Sequence, residues 1–226
     1  KGYSVEMDGD NVMVVYKDGE NPVYFLNSQT VTSKEGVETL VVGRNDVKNG
    51  QSLEETLEGV ARREDSIVIA EHPLTESHAG MGEENLRKYA SKIDAVEGHN
   101  SQLIFRLLGK LPLFRQYARK VNDYSQELAE SIGKPWVATS DAHRIKDTGK
   151  SYISVEKDLI DLENGGEALI GSLRNAIRDD AFECKKDYVN PIGWFKWVVP
   201  FMVGERFLED SLRINFIYSF LFCIRW

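Results

Sequence analysis

In "KPWVATSDAHRIKDTG", Lys134 to Gly149, an apolar run breaks off on Asp141-Ala142-His143. Trp136-Val137-Ala138-Thr139 is rich in residues that favour a sheet. Alternation along an extended chain puts residues i and i+2 on one face, so Asp141 and His143 converge at the strand's carboxyl end. A carboxylate and an imidazole brought to one point are potential metal ligands.

Working outward, strands and helices alternate. "SIVIA" (Ser66–Ala70) reads as a buried strand that delivers His72 at its end, with Pro73 turning the chain away. Before it, Ser52 and Glu55 form a capping box for a helix whose apolar stripe is Leu53, Leu57, Val60 and Ala61. "EENLRKYASK" (Glu83–Lys92) is a helix, "IDAVE" (Ile93–Glu97) a strand followed by a long loop, and "VNDYSQELAESIG" (Val121–Gly133) a helix stopped by Gly133. "SYISV" (Ser151–Val155) and "EALIGSLRNAIRDD" (Glu167–Asp180) add a strand and a helix. Strands separated by helices of this length predict parallel pairing, with the helices outside. Upstream, "YSVEMDGDNVMVVY" (Tyr3–Tyr16) is a hairpin about an Asp8-Gly9-Asp10-Asn11 turn, and "NPVYFLN" and "ETLVVG" are further strands.

Composition sets limits. With 226 residues, 42% of them hydrophobic and 28% charged, a packed core is expected and wholesale disorder is not. A net charge of -8 argues against stable nucleic-acid binding. Cys184 and Cys223 have no paired spacing, which favours a reducing, cytoplasmic setting. Residues 190–226 differ in kind: they are aromatic-rich, yet neither apolar run approaches the ~20 residues that span a bilayer. One reading is a helical layer packed on the barrel; the other is an interfacial anchor at a membrane surface, with Trp194, Trp197 and Trp226 at headgroup level.

"AEHPL" (Ala70–Leu74), "IDAVEGHNSQ" (Ile93–Gln102) and "ATSDAHRIKDTGKSY" (Ala138–Tyr152) resemble consecutive motifs of the PHP (polymerase and histidinol phosphatase) superfamily of metal-dependent phosphoesterases. The resemblance runs from about Val31 to Asp180. It implies an α/β fold: a distorted (β/α)7 TIM-like barrel over residues 1–189, incomplete at its N-terminus, with residues 190–226 as a C-terminal appendage. It also implies divalent ions (Mn, Zn or Fe) at the strands' carboxyl ends, activating water to hydrolyse a phosphomonoester or phosphodiester, with a nucleotide or another small phosphate ester as substrate.

Carried across by residue, the resemblance makes His72, Asp141 and His143 metal ligands. Asn100 pairs with Glu97 in shaping the mouth. His99 is either an ordinary loop histidine or a substrate contact, and Arg144 is a candidate for holding phosphate. The family's opening His-x-His and Thr-Asp-His histidines have no counterpart, because no histidine precedes His72. The chain starts at Lys1 without methionine, so an upstream segment carrying them is one expectation; decay of the site is the other. Thr30 stands where the family has a bridging glutamate, and Val37 or Glu38 takes the following histidine slot. In a second register Glu38 is itself the bridging ligand; otherwise it is a solvated strand-edge carboxylate. The alternative to an enzyme is a catalytically degenerate module of the same fold that binds or regulates.

Overall fold

The computed structural model describes residues 2–75, 79–103, 112–142, 145–189 and 223–225. His143, Arg144 and residues 190–222 lie outside the described residues, and with them the expected C-terminal helical appendage.

A five-stranded mixed sheet holds the centre, in the order β4 (Ser28–Thr32), β5 (Glu38–Val42), β6 (Ile67–Ala70), β7 (Ala95–Asn100), β8 (Trp136–Thr139). β5, β6 and β8 read as near-continuous apolar runs because both faces of the sheet are covered there. On one face, Val41, Val68, Ala70 and Val96 meet helices α1 (Leu53–Ala61), α2 (Gly82–Tyr89) and α3 (Pro112–Ser131) through Leu57, Val60, Leu86, Tyr89 and Leu128. On the other, Leu40, Val42, Ile67, Ile69 and Val137 meet Leu169, Ile170, Leu173 and Ile177 of α4 (Gly166–Arg178). The same core takes in Val12 and Val14 of an N-terminal sheet, β1 (Tyr3–Asp8), β2 (Val12–Lys17) and β3 (Val23–Leu26). It also takes in Ile153 and Val155 of β9 (Tyr152–Glu156), which pairs with β10 (Glu183–Lys185) and β11 (Cys223–Arg225) in a third sheet. Each buried Leu or Ile contributes roughly 1.5–3 kcal/mol, so the two layers of apolar contact dominate the fold's stability.

Two local readings hold, whereas the helix expected over Val121–Gly133 starts earlier, at Pro112. Ser52 caps α1: its hydroxyl accepts from the Glu55 backbone, and the Glu55 carboxylate accepts from the Ser52 backbone. Gly133 follows α3 with φ of 66°, a left-handed stop that glycine adopts without strain.

The barrel is corrected. The described residues form three small sheets with four α-helices, and no closed barrel. Within the central sheet only β6–β7 and β7–β8 pair in parallel, each across a helix; β9–β11 is a further parallel pair in the third sheet. A tight turn sends β4 into β5 as an antiparallel hairpin, so β5 lies antiparallel to β6 although α1 connects them. After β8 the chain reaches β9 through a short 3-10 turn at Ile145–Asp147 instead of a crossover helix, and β9 builds a different sheet. Closure needs each strand's far edge to be paired; among the described residues β4 and β8 are the ends of an open sheet. No helix among the described residues is long and apolar enough to cross a membrane.

Candidate metal centre

The carboxyl ends of β6, β7 and β8 point the same way because those strands are parallel. The antiparallel β5 adds its amino end to the same edge, which puts Glu38, its first residue, beside the residues that follow β6. The ladder pairs Leu40 with Ile69, so two residues further along Glu38 comes level with Glu71. His72 Nε2 lies 3.5 Å from Glu38 Oε2. One ligand atom from each of Glu38, Glu71 and His72 can be chosen so that all three lie within 4.8 Å of one another.

The backbone around this group is tied down and strained. The His72 amide donates to Glu97 Oε2 at 2.5 Å, and its carbonyl accepts from the Thr75 backbone at 3.0 Å and hydroxyl at 2.7 Å. The returning chain seals the turn: the Glu38 amide donates to the Ala79 carbonyl at 2.8 Å, and a Cβ on Gly80 would collide with the His72 carbonyl. His72 has φ of 30° and Asp141 φ of 42°, a region L-residues enter at a cost of order 1–3 kcal/mol. These two of the four described non-glycine residues with positive φ, the others being Ala79 and Asp180, sit at this edge of the sheet, and strain of this sort collects at functional sites.

β7 supplies a second acidic group. Its ladder with β8 has a bulge between Glu97 and His99, with Gly98 as the extra residue. A Cβ on Gly98 would stand 2.7 Å from that of Trp136 and 2.8 Å from Gln126 Cγ, so the bulge takes only glycine without a shift. The extra residue breaks the alternation of period two, and Glu97 and Asn100 bond each other where strict alternation pairs Glu97 with His99. Asn100 Nδ2 donates to both Glu97 oxygens at 3.2 and 3.1 Å and to Asp141 Oδ2 at 3.1 Å. Asn100 Oδ1 accepts from the Gln102 amide at 2.8 Å, which fixes the side chain's orientation. The Thr139 hydroxyl donates to Glu97 Oε1. His99 has other partners: Nε2 meets the Asp187 carbonyl at 3.1 Å, Nδ1 accepts from Asn122 at 3.2 Å, and the ring packs edge-on against Tyr188. Burial holds its pKa below the usual imidazole range.

The electrostatics are dominated by crowded negative charge. Burial, then the charges of Glu97, Asp141 and Glu38, pushes the Glu71 carboxyl well above the usual range, against a weak opposing bond from Thr30 at 3.3 Å. Burial, then Asp141, pushes Glu97 up to about 7 despite its bonds from Thr139, the His72 amide and Asn100. Glu71 Oε1 is buried and has no hydrogen-bond partner among the described residues. Leaving such an oxygen bare costs about 1–3 kcal/mol.

Sequence reasoning singled out His72, Glu38, Asp141, Asn100 and His99. The structure puts Glu38 beside His72 and ties Asp141 to Asn100, while His99 lies against α3 and the segment after β10. It passed over Glu71. The available signal was local: a glutamate closing the all-apolar run Ile67–Ala70 is out of place unless something pairs with it.

Residues 119–177 match the family model described as PHP-associated. That stretch is similar to PHP-associated proteins. The match covers about a quarter of the sequence, from within α3 to the end of α4, and includes Asp141. Glu38, Glu71, His72 and Glu97 lie outside it. No curated protein and no solved structure matches the chain.

The donor set of Glu38, Glu71 and His72 fits a divalent cation. Two carboxylates and one imidazole suit Zn²⁺, Mn²⁺ or Fe²⁺. With bonds of about 2.0–2.2 Å, ligand atoms on one ion stand no more than about 4 Å apart. The 4.8 Å group therefore has to contract by under an ångström. A cation there would give the bare Glu71 oxygen a partner and offset the repulsion among Glu38, Glu71, Glu97 and Asp141.

Proposed function

We propose that the chain binds a divalent ion (Mn, Zn or Fe) through Glu38, Glu71 and His72, with Asp141 at the same mouth and His143 a further candidate ligand, and hydrolyses phosphomonoesters or phosphodiesters such as nucleotides. The observation that carries this reading is the buried, unpartnered Glu71 oxygen facing three other carboxylates. A bound divalent ion would supply Lewis acidity toward water and phosphoryl oxygens. The chain's own groups divide the remaining tasks. Asn100 holds Glu97 and Asp141 in register, and Glu97 fixes the strained His72 backbone through its amide. Both Glu97 oxygens are occupied and buried, which supports a positioning part. Arg144 is the candidate for binding phosphate.

Thr30 favours a second reading. Its hydroxyl bonds Glu71 at the position where the resembling family carries a bridging carboxylate, so the site offers fewer charges than a multi-ion cluster needs. A module that binds one ion without turnover would have this composition.

Metal analysis after chelation and reloading with Mn²⁺ or Zn²⁺ tests the first step, with Glu71→Gln and His72→Ala as controls. Hydrolysis of nitrophenyl phosphate, its diester and a nucleotide tests the second. One or more equivalents, lost in both variants and accompanied by turnover, is the expected result. Binding without turnover selects the second reading, and zero equivalents refutes both.

A further inference from the structure

The opposite end of the central sheet holds a second group of buried polar atoms without partners. Arg44 lies two residues past the end of β5 and Glu38 at its beginning. Six residues of extended chain separate them, about 20 Å, so Arg44 is remote from the carboxylate cluster. Beside it a cleft of ≈ 210 Å³ opens between the 44–51 segment and α1, lined by Arg44, Lys48, Thr56, Gly59 and Arg63 with Asp46 and Glu55.

The free chemistry of this cleft is that of hydrogen-bond donors. Arg44 is only 8% exposed. Its Nε and Nη2 form a fork with the Asp46 carboxylate at 2.6 and 2.5 Å. Its Nη1 is buried with no hydrogen-bond partner; the nearest carboxylate, Asp65, is 3.7 Å away. The Thr56 hydroxyl, on a side of α1 that is buried, is likewise without a partner. The acceptors are already engaged: Asp46 by the Arg44 fork, and Glu55 by the backbone and hydroxyl of Ser52. Three cations and two carboxylates line the cleft, and Asp65 beside it pairs with Arg63 at 3.2 Å, so the local charge is balanced in a chain of net charge -8. Gly59 leaves the helix wall bare; a Cβ there would meet nothing within 4 Å.

We infer that this cleft between the end of β5 and α1 is a binding site for a small oxyanion, either free phosphate or the phosphoryl group of a small ester. The reasons are additive. A buried guanidinium N–H and a buried hydroxyl need acceptors. Guanidinium is the side chain best suited to a tetrahedral oxyanion. The volume falls below the roughly 300–1,000 Å³ of drug-sized pockets, which limits the occupant to an anionic head group. The inference does not depend on a metal at the carboxylate cluster.

The test uses the full chain in EDTA, titrated with inorganic phosphate and separately with AMP. Binding is followed by calorimetry and by the backbone amide resonances of Val47, Lys48 and Gly59. Gly59→Glu and Gly59→Lys both improve helix propensity over glycine, so both variants fold while placing opposite charges at the cleft. Saturable binding at one equivalent is expected, with a dissociation constant on the order of 1 mM. It should weaken about tenfold or more in Gly59→Glu and hold or tighten in Gly59→Lys. Tighter binding of AMP identifies a phosphate ester as the occupant, and tighter binding of phosphate identifies the free ion. Absence of saturation at ten times that concentration overturns the inference. So does binding that is indifferent to the Gly59 pair.

Discussion

Glu97→Gln separates the electrostatic cost of the acidic mouth from its hydrogen bonding. Glu97 titrates at about 7 in the folded chain, against an ordinary value of 4.5. Between those two pH values the native state retains a proton that the unfolded chain has released. Stability therefore falls as pH rises from 4.5 through 7, and the full penalty applies above 7. A difference of 2.5 units amounts to about 3 kcal/mol. Glutamine keeps one acceptor for the His72 amide and Asn100, and its own amide faces a Thr139 hydroxyl that can rotate to accept. We expect that exchange to cost about 1 kcal/mol. In urea melts with EDTA, the variant should be the less stable protein at pH 4.5 and the more stable by about 2 kcal/mol at pH 8. The two curves should cross between roughly pH 5 and 6. Loss of the Glu97 charge also relieves part of the rise in the Glu71 carboxyl, which adds to the variant's advantage at high pH. Saturating Mn²⁺ should reverse the order at pH 8, because a cation favours the ionised wild-type carboxylate. A stability difference that does not change with pH would refute the reasoning.

Two further outcomes follow from single contacts. Arg174 is buried and donates to Asp94 Oδ1 at 3.0 Å and to the carbonyls of Ala61 and Arg63, while Asp94 also accepts from the Val68 amide at 2.7 Å. Arg174→Met should lower the urea-derived stability by about 1–3 kcal/mol, since the carbonyls of Ala61 and Arg63 lose their donor while Arg178 still donates to Asp94 Oδ1 at 2.5 Å. Metal stoichiometry should be unchanged, because Asp94 precedes β7 and lies at the end remote from the site; a loss under about 1 kcal/mol would count against the network. Thr30→Glu adds a carboxylate next to Glu71. It should destabilise the metal-free chain above pH 5, where like charges crowd, and raise Mn²⁺ affinity about tenfold or more by titration. An unchanged affinity would mean that residue 30 does not reach the ion.

How much of this could be read from the sequence depends on how far apart the interacting residues lie. The capping box of α1, the stop at Gly133, the hairpin at Asp8–Asn11 and the buried runs of β5 to β8 are local. Their chemistry sits within one or two turns of chain, and the structure has them where the pattern put them. His72 and Asp141 at strand ends were legible for the same reason. The bulge at Gly98 was not, because its cause is the approach of Trp136 and Gln126 from elsewhere in the chain, and it separates His99 from Glu97. Strand direction was not legible either. Alternating strands and helices imply a parallel barrel, yet a helix-length connection also permits the antiparallel entry of β5. Sequence alone determined which runs are buried and which strand ends carry His72 and Asp141, since both follow from periodicity. Only the tertiary structure decided that the sheet stays open and that Glu38 meets Glu71 and His72. Those facts rest on pairing between strands about thirty residues apart, whose orientation no local pattern encodes.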